Sequence, residues 1–293
     1  MPIDVSTLRS YRNAFFDNRR WARFEPRPGD IFVCAPPKCG TTWMQTIVAE
    51  MLWPDGDAPR PIMQHAPWLE GEFAPLDRVL ARLAAQKHRR TVKTHTPADG
   101  IPLLDDAKYV FVARDGRDAF MSLCNQDAHM KAAMVEGLTA PALADSERPM
   151  RGWSGDVQGF FAHWTEEGAF LDHVATFWQR RDLPNLLLVH YNDLKADLDG
   201  EMRRIAGFLD IRVPEAQWPA VVERCTFESM KARPEEIGVF EFFEGGVDSF
   251  LYKGSNGRWR GVLSPAELAR YEQRVAKVLP PDAARWLEQG RCS

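Results

Sequence analysis

The sequence carries no excess of basic residues: 37 lysines and arginines are outweighed by 41 acidic residues, a formal net charge of −4. That balance excludes a protein built to coat nucleic acid, and by itself it suggests no anionic partner. Long apolar runs are missing too. No window approaches roughly eighteen uninterrupted apolar residues, so no membrane-spanning helix is predicted. The stretch from Met1 to Trp21 has no apolar core and no cleavage signature, which predicts a cytoplasmic protein. Cysteine is sparse. Cys34, Cys39, Cys124, Cys225 and Cys292 form no Cys-x-x-Cys pair, and an odd number cannot all pair within one chain. Reduced thiols and no metal site are expected. Internal repeats, low-complexity tracts and a clear linker are likewise missing. What remains is a globular composition, 45% hydrophobic and 27% charged, read as a single domain over residues 1–293.

One N-terminal stretch mixes basic and aromatic residues: Arg9, Tyr11, Arg12, Phe15, Phe16, Arg19, Arg20, Trp21 and Phe24. Such a mixture suits a membrane-surface helix. The favoured reading is a segment packed on its own domain with its arginines solvated.

Four apolar runs read as strands: 30–35, 91–95, 109–113 and 186–191. Helical periodicity follows the first, over 41–53, and flanks the last, over 168–179 and 198–209. Strands alternating with helices predict an α/β fold with a central, mainly parallel sheet covered by helices. Residues 126–161 carry Gly, Pro and mixed charge with little periodicity, and are expected to form a lid-like insertion. Residues 240–261 are rich in Gly and aromatics and are expected to be loop.

The turn after the first strand has the makings of a phosphate cradle. Backbone N–H groups at a helix N-terminus point outward, and the helix dipole adds positive potential. Gly40 permits an unusual backbone angle and a close approach by an anion. Lys38 supplies charge, while Thr41 and Thr42 supply hydroxyls. The plain alternative is a strand–turn–helix with a capping Thr. The turn departs from the P-loop of magnesium-dependent nucleotidases, because Lys38 precedes its only glycine. The strand 109–113 also ends in Arg114 rather than in a metal-binding Asp.

Residues 35–43, Ala-Pro-Pro-Lys-Cys-Gly-Thr-Thr-Trp, resemble the phosphosulfate-binding loop of the cytosolic-type sulfotransferases, which is P-loop-like and usually reads Pro-Lys-Ser-Gly-Thr-Thr-Trp. Five further segments, in the family's order, resemble it as well. Lys93-Thr94-His95-Thr96-Pro97 is similar to the segment that carries the family's catalytic His. Arg114, with Ser122 eight residues on, is similar to the pair that holds the donor's 3′-phosphate. Arg117 instead reads as a surface partner of the neighbouring aspartates. Tyr191 resembles a Tyr near the adenine. Cys225-Thr226-Phe227-Glu228-Ser229-Met230 resembles a segment whose Phe stacks the adenine against the Trp of the first loop, here Trp43. Tyr252-Lys253-Gly254-Ser255-Asn256-Gly257-Arg258-Trp259 resembles Arg-Lys-Gly-x-x-Gly-Asp-Trp, which closes over the 3′-phosphate. Cys39, Cys225, Tyr252 and Arg258 depart from the pattern. The family's dimer motif is not matched, and oligomeric state is left open.

The resemblance implies a reaction. A sulfuryl group passes from 3′-phosphoadenylyl sulfate (PAPS) to an acceptor hydroxyl, leaving adenosine 3′,5′-bisphosphate (PAP), without a metal. It implies His95, Lys38 and Lys93 as the catalytic residues. As donor-binding residues it implies Lys38, Cys39, Gly40, Thr41, Thr42, Trp43, Arg114, Ser122, Tyr191, Thr226, Phe227, Met230, Lys253 and Gly254. An acceptor hydroxyl is a poor nucleophile until deprotonated, and a His is a suitable base. Trp68, Met130, Met134, Trp153, Phe160, Phe161 and Trp164 are candidates for an apolar acceptor pocket. Gln86 to Arg90 and Lys93 to Pro97 are also similar to bacterial glycolipid sulfotransferases, which suggests a glycolipid or other hydrophobic alcohol as acceptor. Two rivals remain: a nucleotide kinase-like phosphotransferase, which needs magnesium and ATP, and a nucleotide-binding regulator without transfer activity.

Overall fold

The computed structural model describes residues 3–13, 15–132, 155–238 and 240–291. Its centre is a four-stranded sheet of β1 (Ile31–Cys34), β2 (Thr91–Thr94), β3 (Lys108–Ala113) and β4 (Leu186–His190). The strand order is β2-β1-β3-β4, and every pairing is parallel. All four residues of β1 are buried, as are five of the six in β3. A parallel sheet covered on both faces needs such continuous apolar runs. Three of the four strands stop one residue short of their predicted ends, because Ala35 and His95 already belong to the turns that follow and Tyr191 opens the next helix; β3 ends at Ala113 as predicted.

The helices that matter here are α1 (Thr41–Leu52), α2 (Leu76–Ala85), α3 (Gly116–His129), α4 (Val157–Glu166), α5 (Phe170–Trp178), α6 (Tyr191–Ala196), α7 (Leu198–Leu209), α8 (Trp218–Arg224), α9 (Phe227–Ala232), α10 (Pro265–Val278) and α11 (Pro281–Gln289). Aromatic stacking locks the layers. Phe32 of β1 lies parallel to Tyr109 of β3 at 4.8 Å, and Phe111 of β3 lies parallel to Phe177 of α5 at 4.1 Å. Burying each such ring contributes about 2–3 kcal/mol. At the start of β1, the buried pair Asp30–Arg90 (2.5 Å) ties that strand to β2.

The N-terminal segment packs on its own domain, the favoured reading. Residues Asn18–Arg23 form a 3₁₀ helix whose Trp21 is fully buried and donates from Nε1 to Glu70 (3.0 Å). Phe24 is buried and Arg20 pairs with Glu72. Among the described residues no helix is long and apolar enough to cross a membrane. The ends of the expected 126–161 insertion are helical: its first residues finish α3, and 157–161 begin α4. Residues 133–154, with Met134 and Trp153, lie outside the described residues. The stretch 240–261 is largely loop, broken by one short helix, Val247–Phe250.

Sheet order positions the site. The chain adds β2 on one side of β1 and then crosses to place β3 on the other, so a crevice opens at the strands' carboxyl edge between β1 and β3. Every strand delivers a predicted site residue there: Lys38 after β1, His95 after β2, Arg114 after β3 and Tyr191 after β4.

Candidate active site

The turn between β1 and α1 holds two residues in the left-handed region, Lys38 (φ 70°) and Gly40 (φ 104°). For Lys38 this conformation costs about 1–2 kcal/mol, strain of the kind that persists at functional sites. Gly40 is required twice over, since a Cβ there would also lie 3.0 Å from Tyr191 Cδ2. No side chain caps α1 and its first turn has no acidic residue. The leading N–H groups of Thr41, Thr42 and Trp43 are the outward-facing donors of an uncapped helix start. Cys39 differs from expectation. Its thiol is buried in the core, where burial pushes its pKa up to about 12, and its N–H donates to the Pro36 carbonyl (3.4 Å). Neither group is offered to a ligand, and for the same reason replacing Ser by Cys removes nothing from the crevice.

Three proton-bearing groups meet at the mouth of this turn. His95 is buried, with Nδ1 2.6 Å from the Ala35 carbonyl oxygen. A carbonyl only accepts, so Nδ1 carries the proton and Nε2 keeps the lone pair. Burial, and then the nearby Lys93 charge, hold the His95 pKa well below the ordinary value. Lys93 Nζ sits 4.9 Å above the Trp68 ring, and the same indole meets His95 edge-on at 4.9 Å. Burial brings the Lys93 pKa down to about 8, with Glu70 opposing the shift. Lys38 Nζ donates to Gln126 (3.0 Å) and lies 4.5 Å over Phe250. Burial, then repulsion from Lys93, brings its pKa to about 8 as well.

On the β3–β4 side, Arg114 is buried, with its guanidinium 4.2 Å over the Tyr191 ring. Its fork donates to Asn256 Oδ1 (2.7 Å) and to the Ser255 carbonyl (3.1 Å). Tyr191 also meets Trp43 edge-on at 5.2 Å, so one ring links the β1–α1 turn to Arg114. Ser122 is half-buried at the second turn of α3. Arg117 does pair with Asp115 as expected, but in the interior rather than on the surface: it also binds Glu288 and lies 4.3 Å over Trp259. Asp118 instead accepts from Gly257 N–H (2.7 Å), pinning the 252–260 loop to α3.

The α8–α9 turn closes the other flank. Trp43 Nε1 donates to the Cys225 carbonyl (2.7 Å), a backbone contact that the exchange of Thr for Cys leaves intact. The Thr226 hydroxyl is consumed as the cap of α9, accepting from Ser229 N–H (3.2 Å) and donating to Glu223 O (3.0 Å). Met230 is buried with Ile62, Ile237 and Phe240 in a small core of its own. Phe227 stays half-buried, its face against Gly254, where a Cβ would come within 2.9 Å of the ring. Lys253 is exposed, and the Gly254 carbonyl accepts from Lys195 Nζ (2.7 Å).

The predicted acceptor residues divide. Trp68 reaches His95 and Lys93, joined by Phe16 (5.9 Å) and Phe73 (5.5 Å), and Met130 bridges to Phe243. Phe160, Phe161 and Trp164 do not reach it; they pack on Phe120 in the core. Sequence reasoning missed Gln126, Glu70 and Asn256, which hold Lys38, face Lys93 and occupy Arg114. Among the described residues, no group of three or more His, Cys, Asp or Glu side chains is arranged to hold a metal ion.

Comparison with known proteins identifies the family. A sequence model of the sulfotransferase domain matches residues 28–281. A glycolipid sulfotransferase of Mycobacterium bovis is 34% identical, over 96% of this chain and 94% of its own length. Human sulfotransferase 1C2 is 28% identical, over 85% and 83%. Among solved structures, a mouse sulfotransferase complexed with PAP superimposes with a TM-score of 0.66 at 20% identity, covering 90% of each chain. A retinol dehydratase complexed with androsterone and PAP gives the same score at 24% identity, covering 88% of this chain and 82% of its own. The α/β fold is theirs, and the chain belongs to the sulfotransferase domain family.

Proposed function

We propose that this chain transfers the sulfuryl group of PAPS to a hydroxyl of a lipid-like acceptor of the glycolipid class. The observation that carries the reading is the meeting of a neutral, tautomer-fixed His95 with Lys38 and Lys93 beside an uncapped helix start. His95 Nε2 takes the acceptor's proton as the acceptor oxygen bonds to sulfur. The bond from sulfur to the bridging phosphate oxygen breaks, and the leaving phosphate gains negative charge. Lys38, Lys93 and the first-turn N–H groups of α1 are positioned to stabilise that charge. Arg114, Tyr191, Trp43 and Phe227 are the groups suited to hold the nucleotide: a guanidinium for a phosphate, and rings for the base. A transferring sulfuryl carries less charge than a phosphoryl, so two lysines suffice in this scheme.

The acceptor side supports a lipid-like partner. Phe16, Phe73 and Trp68 lead from solvent to His95, and Phe73 is 44% exposed. On the opposite side Phe250 lies beside Lys38 and packs on Phe243 (5.2 Å), next to Phe242, which is 45% exposed. The mycobacterial relative named for glycolipids points to the same class. The test is an acceptor screen with radiolabelled PAPS, comparing glycolipids and long-chain alcohols with free sugars. Label on the lipid-like acceptors is expected; preferential labelling of free sugars would overturn the acceptor assignment.

A further inference from the structure

The loop that pins itself to α3 through Gly257 carries a second guanidinium into the crevice. Arg258 is half-buried, and its Nη2 donates to the Met121 carbonyl (3.0 Å), one residue before Ser122. Its Cζ lies 5.0 Å over the Tyr252 ring. Among the described residues it forms no salt bridge with a carboxylate, and most of its five donors remain uncommitted. Among the described residues the hydrogen bonds of Arg114 beside it run to neutral acceptors, a carbonyl and an amide oxygen, with the Asp118 carboxylate close enough to act on it electrostatically. Burial, and then the charge of Arg114, lower the pKa of Arg258, and Arg258 in turn acts on Lys38. Asp118 offsets part of this charge, but its carboxylate accepts from the Gly257 N–H rather than from either guanidinium side chain, so the cations of the crevice outnumber the carboxylate among them and favour an anion.

We propose that Arg114 and Arg258 form the two jaws of a phosphomonoester site, with Arg258 reading the 3′-phosphate of the donor and Tyr252 serving as the platform that aims it. The proposal rests on the sulfotransferase reading above. It gives a physical sense to two departures at once. The cation that the family pattern places at position 252 is supplied from position 258, and the aromatic ring at 252 fixes its plane. A guanidinium over an aromatic face is restrained in orientation and loses less freedom when it grips a phosphate.

The test is calorimetric titration of the full chain with PAP and with adenosine 5′-phosphate, which lacks the 3′-phosphate. In Arg258→Ala, PAP affinity is expected to fall about tenfold or more, the scale of a charged hydrogen bond, with adenosine 5′-phosphate within twofold of wild type. Arg258→Gln keeps a donor for the Met121 carbonyl but removes the charge, and is expected to show the same selective loss. Tyr252→Arg placed in the Arg258→Ala background is expected to restore the preference for PAP. Equal weakening of both nucleotides in Arg258→Gln would make Arg258 a loop staple and overturn the proposal, as would no loss for either. Failure of wild type to bind PAP at all would overturn instead the reading on which the proposal rests.

Discussion

The protonation states at the crevice predict an unusual pH profile. For an exposed His base and exposed lysines, the acid limb would fall near pH 6.5 and the alkaline limb above 10. Here burial and the Lys93 charge hold the His95 pKa well below its ordinary value, and the Ala35 carbonyl fixes the proton on Nδ1. The base therefore stays neutral to lower pH than an ordinary histidine. Lys38 and Lys93 both lie near 8. At pH 7 about nine-tenths of each is cationic; at pH 9, one unit above that value, about one-tenth is. If transfer needs one lysine charged, kcat/KM for PAPS should fall about tenfold between pH 7 and 9, and up to ~100-fold if it needs both. The assay is initial-rate transfer at subsaturating PAPS, from pH 5.5 to 9.5 at fixed ionic strength. The expected curve is flat through 6.5 and descends from about 8. An acid limb centred at 6.5, or a plateau that persists beyond 9, would refute the reasoning.

Other predictions follow from the same geometry. His95→Ala should lower kcat by about 10²–10⁴, the usual weight of a general base, with PAP affinity measured by calorimetry unchanged. Loss of PAP binding to the same degree would make His95 structural instead. Gly40→Ala places a Cβ 3.0 Å from Tyr191 at φ 104°, which should cost about 1–2 kcal/mol, read as a drop of several degrees in Tm with weakened PAP binding. His173 packs beside the stacked pair Phe111 and Phe177, its Nε2 buried with no hydrogen-bond partner among the described residues, and burial brings its pKa to about 3. Its folded pKa is below the unfolded one, so the stability this residue permits is intact above pH 6.5 and falls on acidification, by about 1.4 kcal/mol per unit. His173→Leu should therefore flatten the decline between pH 6.5 and 4.5 by about 2–3 kcal/mol in urea unfolding; parallel wild-type and variant curves would contradict this.

The crevice was legible in the sequence wherever the chemistry is local. The β1–α1 turn announces itself through Lys38 and Gly40, because a bare helix start and a left-handed glycine are properties of a few consecutive residues. The alternation of strands and helices gave the sheet, and with it the rule that ligands gather at strand carboxyl ends. Contacts between distant segments were not legible. Gln126 reaches Lys38 across 88 residues, and Asn256 reaches Arg114 across 142; neither amide carries a local signature. Direction of a side chain was the other gap. Cys39, Thr226 and Met230 lie in the right segments, yet one faces the core, one spends its hydroxyl on a cap and one packs in a separate cluster. Phe160 and Phe161 were the apolar last residues of the expected lid, and periodicity alone does not say which face of α4 meets the core.

The central claim is sulfuryl transfer in this crevice with His95 as base, and single-turnover chemistry tests it most directly. The enzyme is preloaded with sulfur-labelled PAPS, without magnesium, and mixed with a glycolipid acceptor. The account predicts one labelled sulfate ester for each PAP released in wild type, and bound but untransferred label in His95→Ala. Label that stays on intact PAPS in wild type, or leaves only as inorganic sulfate whatever acceptor is supplied, would contradict it.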